Sequence, residues 1–470
     1  MNKMGLILLS VALIVLTLAA CSNNRSTSGS GDTAEETGLV NGQPGTTTGA
    51  NPGEEEATSS SGKKTIIFSS FWPNEQYEQA AKAYEAAHPD ISIKLQYGLS
   101  EEYSDDGGGK QTDSDIEKFT ASTNAAMLAG KGPDLLDLRY LAADDYERHH
   151  LLEDLQSRMA GDKTFNKMNY FANVLDGGNS ETGQFSLPLS FSLSGMVGDK
   201  AAIAATGVKF DDRAWTWDDF MTTGRELVAA KGKYDAAVVS GEGYQVGGTD
   251  YFVRSIVADN YGRFVDETSR KASFDSPAFA GLLKQIKSMY NDGVAGSNGR
   301  GYFINVSILS PEDYLTSLHA FGDETAFYVK PHADEEAAGT SFETRADIGI
   351  NANSKVKDAA WDFLKYLMDH TSIGLPINKE RFHDAIQLLK EQGTITPPSI
   401  DSQHSKPFNV DGAQLDQLEG FADAAARKRN ESGKVLDIVA ANTDAFFTGQ
   451  KSAEDVARLI QNKAMTVLNE

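Results

Sequence analysis

The sequence predicts an α/β fold in two domains, preceded by a flexible N-terminal tether. Three observations lead there. Short apolar runs alternate with amphipathic, helix-spaced segments from Lys64 onward, the pattern of βαβ units. Roughly 400 residues follow the tether, more than one hydrophobic core organises. The stretch between Cys21 and Lys64 is built of Ser, Thr, Gly, Asn and Glu, too polar to bury enough surface to offset the entropy of ordering it.

The N-terminus comes first. Met1-Asn2-Lys3 carries one positive charge, and Gly5 to Thr17 is almost wholly apolar. That is the n-region and h-region of an export signal, too short for a comfortable membrane span. It ends in Leu18-Ala19-Ala20-Cys21, and Cys21 is the only cysteine among 470 residues. The segment resembles the lipobox of bacterial lipoprotein signals. The resemblance implies a signal peptide over 1–20 and a diacylated (palmitate-bearing) Cys21 as the new N-terminus. It implies an anchor on the outer face of the cytoplasmic membrane, in a bacterium of Gram-positive type. A plain secretory signal with an incidental Cys is the competing reading; the thiol's position and the polar tract behind it count against that. Residues 21–63 then form the lipidated Cys and a linker. A coil of ~40 residues reaches roughly 35 Å.

In the body, Lys64–Ser70 reads as a buried strand. A helix follows in "PNEQYEQAAKAYEAAHP", with Tyr77, Ala80, Ala81, Tyr84 and Ala87 on one face and Pro89 as its stop. Ile91–Leu95 is the next strand, predicted parallel to the first. An acidic, Gly-rich insertion spans 100–115. A helix over 115–129 and a strand in "GKGPDLLDL" follow. In an open sheet of this kind ligands bind at the C-terminal ends of the strands. The formal net charge of −24 argues against binding nucleic acid or anionic lipid through a basic face. No G-x-x-x-x-G-K-[ST] loop occurs, so no ATP site is expected.

Several stretches, in order, carry a family resemblance: "TIIFSSFWPNEQYEQAAKAYEAAHPDISIKLQYG", "AAMLAGKGPDLLDL", "FSLPLSFSLSGMVGDK", "WTWDDFMTTGREL", "FDSPAFAGLLKQIKSMYNDG", "INANSKVKDAAWDFLKYLM" and "GLPINKERF". The chain resembles the extracellular solute-binding proteins, family 1, that serve carbohydrate ABC importers. The usual Tyr-Asn-Lys after the Leu-Pro segment is replaced by Val197-Gly198-Asp199-Lys200, and residues 303–342 match poorly. The resemblance implies a two-lobed, periplasmic-binding-protein-like (type II) fold with a hinge. Lobe one would hold 64–188 and 330–372, and lobe two 190–328 and 375–470. Crossings would lie near Leu187–Leu189, Tyr328–Pro331 and Gly374–Pro376. It further implies a monomeric binding protein, not an enzyme, that closes on a carbohydrate and docks on permease subunits.

Sugars offer apolar C–H faces and hydroxyls, so aromatic and polar side chains at strand ends are the candidates. Trp72 and Asn74 leave the first strand, and Asp137 and Tyr140 a later one, at the expected crevice. Ser190 and Phe191 follow the first crossing. Tyr251 and Arg263 are the candidates in "GGTDYFVRSIVADNYGRF"; Asp250 and Tyr261 stand beside them, with Asp250 open to a capping role. Trp215 and Trp217 flank a Thr216–Asp219 capping box and read as packing residues. Trp361 lies on an apolar helical stripe and reads as core. Adjacent His149 and His150 point ~100° apart on a helix and chelate poorly. Asp105, Asp106, Asp113 and Asp115 lack EF-hand spacing. No catalytic residue, metal or cofactor is expected. Two alternatives stay open: a surface-anchored carbohydrate-active enzyme with a carboxylate pair, and the same fold serving another solute, such as a peptide or polyamine, or a sensor.

Overall fold

A computed structural model of the chain describes residues 62–99, 113–177, 183–239, 249–267, 269–296, 300–322, 324–333, 338–397, 406–429 and 433–469. All belong to the compact unit Ser59–Glu470. The signal peptide, Cys21, the linker up to residue 61 and most of the 100–115 insertion lie outside the described residues. Among the described residues no helix is long and apolar enough to cross a membrane.

The first elements follow the expected order. β1 (Lys64–Ser70), α1 (Glu75–Ala87) and β2 (Ile91–Tyr97) form a βαβ unit, with the strands parallel from Lys64↔Ile91 to Ser70↔Tyr97. α1 buries Tyr77, Ala80, Ala81 and Tyr84, the face its spacing marks out. α2 is Asp113–Leu128, and β3 (Leu135–Asp137) runs parallel to β1 on its other side.

β4 (Leu187–Asp199) is the axis of the molecule. All thirteen of its residues are buried, as a strand covered on both faces requires. α3 (Trp217–Ala229), β5 (Val238–Val239), α4 (Thr249–Asp259), α5 (Pro277–Asn291), β6 (Ala295–Gly296), β7 (Phe303–Ile308) and β8 (Thr325–Val329) build the region beyond it. Then come β9 (Thr340–Ile350), α6 (Lys357–His370), β10 (Leu375–Pro376), α7 (Lys379–Gln392), α8 (Gly412–Asp423), β11 (Ala425–Lys428), α9 (Lys434–Phe447) and α10 (Ala453–Leu468). One sheet runs in the order β2-β1-β3-β9-β4-β7-β5-β6, with β8 and β10 also on β4 and β11 on β9.

Strands β8, β9 and β10 all pair with β4. On one edge β8 ends with Val329 opposite Gly195, and β9 takes over with Ser341 opposite Ser194. Arg427 holds the intervening excursion, donating to Lys330 O at 2.8 Å, Pro331 O at 3.2 Å and Gly339 O at 2.9 Å. On the other edge Leu375 and Pro376 pair with Phe191 and Ser190. The approach at Gly374 is close: a Cβ there would sit 2.7 Å from Phe191 O.

One hydrophobic cluster runs along the sheet from Ile66 and Phe68 through Leu187, Leu189 and Phe191 to Leu315 and Leu415. It holds Trp361, as the helical stripe predicts. A second gathers Trp215, Phe220, Phe252, Phe303, Leu436 and Ile460, with Trp217 packed at its margin. The capping box forms: Asp219 N donates to Thr216 Oγ1 at 3.2 Å and Thr216 N donates to Asp219 Oδ2 at 2.9 Å. A third, smaller cluster of Phe71, Phe119, Leu138, Tyr146, Leu152 and others borders Trp72 and Tyr140.

Charges are buried where these regions meet. Asp259, at the end of α4, pairs with Lys330 at 2.7 Å and with Arg429, and all three side chains are at most 5 % exposed. Arg429 also donates to Ser194 Oγ on β4 at 2.9 Å. Burial alone would raise the Asp259 pKa; the Arg429 and Lys330 charges outweigh it and hold the carboxyl below its usual range.

Candidate functional site

β1 and β3 are parallel, so the segments leaving their C-terminal ends emerge side by side. Phe71–Asn74 and Leu138–Leu141 therefore meet, around a cavity of about 520 Å³ lined by Trp72, Asn74, Asp137, Arg139, Tyr140 and Ile373, among others. Trp72 Nε1 donates to the Tyr140 hydroxyl at 3.1 Å. The Phe71 ring meets both rings edge-on, with centroids 5.2 Å from Trp72 and 4.8 Å from Tyr140. The Arg139 guanidinium lies 5.5 Å from the Tyr140 ring centre. This corner is an apolar wall with a polar rim.

Asp137 stands at the foot of the wall. Its Oδ2 accepts from Tyr77 Oη at 3.3 Å and from Ser70 Oγ at 3.4 Å, and its Oδ1 from the Arg139 backbone N–H at 3.2 Å. Burial pushes the Asp137 carboxyl up, and the neighbouring Asp347 charge adds to this against the Arg139 and Tyr77 hydrogen bonds. Burial, followed by the Asp137 charge, also raises the Tyr77 phenol well above its usual value. Asn74 lines the cavity, but its side-chain oxygen caps α1, accepting from Gln76 N at 2.9 Å and Tyr77 N at 3.4 Å.

The other predicted residues divide. Phe191 is fully buried, edge-on to Phe171 at 5.3 Å. It is a core residue, because β4 is covered on both faces; the expectation that it meets ligand is corrected. Ser190 is also fully buried, and its hydroxyl accepts from Ile373 N at 3.2 Å. It supports the cavity wall from behind. The Tyr251 and Asp250 side chains lie outside the described residues, although α4 itself is described. Arg263 is exposed, 6.0 Å from the Phe264 ring, and does not line the cavity.

Two groups were not singled out by sequence, Tyr261 in the second apart. Glu343, Arg345 and Asp347 alternate along β9, and Asp347 bears on Asp137. Their signal was present as charge at every second position of "TSFETRADIGI". The second group bridges the short helix Ala143–Arg148 and the hairpin around Glu267. Arg270 pairs with Asp145, Arg148 donates to Glu267 O at 3.4 Å, and Tyr261 donates to the Glu267 carboxylate. Burial raises the Asp144 and Glu267 pKa values.

A larger cavity, about 630 Å³, lies between Glu153, Arg158, Asp162, Asp358 and Lys365. Its charges already pair, Arg158 with Glu153 and Asp358 at 2.6 Å and Lys365 with Asp162 at 2.6 Å. Among the described residues no three His, Asp or Glu are grouped to hold a metal ion.

Comparison with known proteins bears on the family and the fold. A family model described as bacterial extracellular solute-binding protein matches residues 72–372. Among solved structures, an extracellular solute-binding protein family 1 from Alicyclobacillus acidocaldarius superposes with a TM-score of 0.55 at 16 % identity, covering 88 % of this chain and 100 % of that one. The sugar-binding protein MalE from Xanthomonas citri gives 0.57 at 13 %, covering 86 % and 98 %. The cyclic α-maltosyl-1,6-maltose binding protein from Arthrobacter globiformis gives 0.53 at 17 %, covering 87 % and 99 %. A search of curated proteins finds no match.

Proposed function

The chain belongs to the family of bacterial extracellular solute-binding proteins, and from that premise we propose that it captures a carbohydrate, an oligosaccharide, beside the Trp72–Tyr140 corner. In this reading two lobes, divided near the crossings along β4, close on the sugar, and the closed form delivers it to the permease of an ABC importer. Lipidated Cys21 tethers the body to the outer face of the membrane. The observation that carries the reading is the corner itself: two hydrogen-bonded aromatic rings with the anchored carboxylate of Asp137 below them. Two of the structural neighbours are named for sugar binding, which supports the same class. The family and these neighbours are binding proteins, so no catalytic step is assigned.

A thermal-shift screen of the mature chain tests it, with maltose, maltotriose, cyclic α-maltosyl-1,6-maltose, cellotriose and xylotriose. A sugar at ~100 times its Kd adds about 2.7 kcal/mol of stability. With an unfolding entropy of ~0.8 kcal/mol/K for ~400 residues, that is a rise of about 3 °C. Recovery of the sugar intact completes the case. No shift with any sugar, or shortened products, overturns it.

A further inference from the structure

The corner gives the cavity one apolar side, and Ile373 gives it another from a distant part of the chain. Across the sheet the strands run β1-β3-β9-β4. Ser190 and Phe191 of β4 pair with Arg345 and Thr344 of β9 on one edge, and with Pro376 and Leu375 of β10 on the other. β10 therefore stands three strands from β3, about 14 Å at ~4.8 Å per strand. Ile373 leads into β10 and lines the same cavity as Trp72 and Tyr140. It reaches that cavity from beyond β4, whereas the corner reaches it from the exits of β1 and β3.

Ile373 is 38 % exposed, one of five large apolar side chains above a third exposure among the described residues. The other four, Leu128, Met168, Leu309 and Leu388, line neither cavity described above. Single exposed apolar residues are ordinary on a surface; one set into a cavity wall on a fixed backbone is not. The backbone here is held at each residue from Ser372 to Leu375. Ser372 N donates to Gln76 Oε1 at 2.8 Å, and Gln76 Nε2 donates to Ser372 O at 2.9 Å. Ile373 N donates to Ser190 Oγ at 3.2 Å. Gly374 lies against Phe191 O, and Leu375 pairs with Phe191. Gln76 is the second residue of α1, and Asn74, which follows Trp72 and Pro73, caps that helix. The Gln76 amide therefore ties the segment carrying Trp72 to the segment carrying Ile373. Ile is also stiff at χ1. This apolar surface is in place before a ligand arrives and loses little freedom on binding.

We propose that Ile373 is a specificity-determining residue of the sugar site. A pyranose stacked on the Trp72–Tyr140 corner turns its other side toward Ile373, and its equatorial hydroxyls meet the polar lining, Asp137 and Arg139 among it. A ring whose hydroxyls are all equatorial shows C–H groups on both sides. An axial hydroxyl is pressed against an apolar surface and loses its water without gaining a hydrogen bond, which is costly. The ligand class at this position is therefore a ring of glucose or xylose configuration, not of mannose or lyxose. This inference rests on the carbohydrate reading of the corner.

The test is calorimetric titration of the mature chain and of Ile373→Ala, Ile373→Thr and Trp72→Ala, with the five sugars named above. The tightest binder is then titrated with one ring at a time replaced by its C2 epimer, mannose for glucose or lyxose for xylose. On wild type, one ring position should lose about tenfold or more in affinity on epimerisation. Ile373→Ala should bind the parent sugar about fivefold more weakly and should lose most of the epimer penalty at that ring. Ile373→Thr, which places a hydroxyl at the contact, should lose it likewise. A merely structural role would lower the melting temperature and leave the epimer penalty as it is. If Trp72→Ala weakens binding while both Ile373 variants bind the parent sugar within twofold of wild type, Ile373 is not a contact and the corner stands. If the epimer penalty is unchanged in both variants, the selection does not come from Ile373. If wild type binds every epimer as tightly as the parent, the selection is wrong even where a variant fails to fold. If wild type binds none of the five sugars, the carbohydrate reading fails and the role of Ile373 fails with it.

Discussion

Asp259→Asn is expected to cost about 3–5 kcal/mol. Asp259 is the acidic partner of Lys330 and Arg429 within a cluster whose three side chains are at most 5 % exposed. Its removal leaves two buried cations, with Arg427 nearby. Breaking a buried pair by deleting one partner costs ~3–5 kcal/mol, because the remaining charge is uncompensated. At ~0.8 kcal/mol/K for ~400 residues, the melting temperature falls by about 4–6 °C. The pH dependence follows from the sign of the shift. The folded-state pKa of Asp259 is lowered, so its stabilisation is present above the unfolded value of ~3.9 and is lost as pH falls through the folded value. Urea titrations should therefore show a constant wild-type advantage from pH 8 to ~5, shrinking only below ~4. Replacing all three residues together by Leu, Met and Met should be far milder than Asp259→Asn, because no charge is then stranded. A cost of Asp259→Asn below about 1 kcal/mol, or an advantage that fades above pH 6, would refute the reasoning.

The remaining expectations concern the site and the anchor. Asp137→Asn should leave stability at pH 7 equal to wild type or higher, since the raised pKa means that ionising Asp137 opposes folding above ~3.9. The difference should vanish below pH ~4 in urea titrations, while sugar affinity falls ~10–100-fold by calorimetry with the loss of a charged hydrogen bond. Arg270→Glu should widen the separation of probes placed on the 143–148 helix and the 265–272 hairpin, and exchange with Asp145→Arg should restore it. The effect is below about fivefold in the equilibrium between the two separations, because these side chains are about a third exposed, and it shrinks with added salt. Cys21→Ser should abolish lipid attachment, read by intact-mass spectrometry, and release the chain to the medium.

The reach of the sequence follows the range of the interactions that set each feature. β1, α1 and β2 were legible because each is fixed by neighbours in the chain: β-branched and aromatic runs, the Tyr77–Tyr84 stripe, Pro89. The corner was legible at one remove. Two parallel strands must bring their exits together, so Trp72, Asp137 and Tyr140 could be placed at one edge without knowing their contacts. Phe191 went astray because a position two past a Pro-containing crossing says nothing about which face is covered. That depends on Phe171, 20 residues back, and on the return of Leu375 much later in the chain. The charges along β9 were hidden for the same reason. The alternation of Glu343, Arg345 and Asp347 is visible in the sequence, but it reads as an ordinary half-exposed strand. Its partners β3, β4 and β11 are set only by the fold. One of them, β11, begins 75 residues after β9 closes. Surfaces built by strands far apart in the chain therefore require the fold before they can be seen, whereas walls made at the exits of neighbouring parallel strands do not.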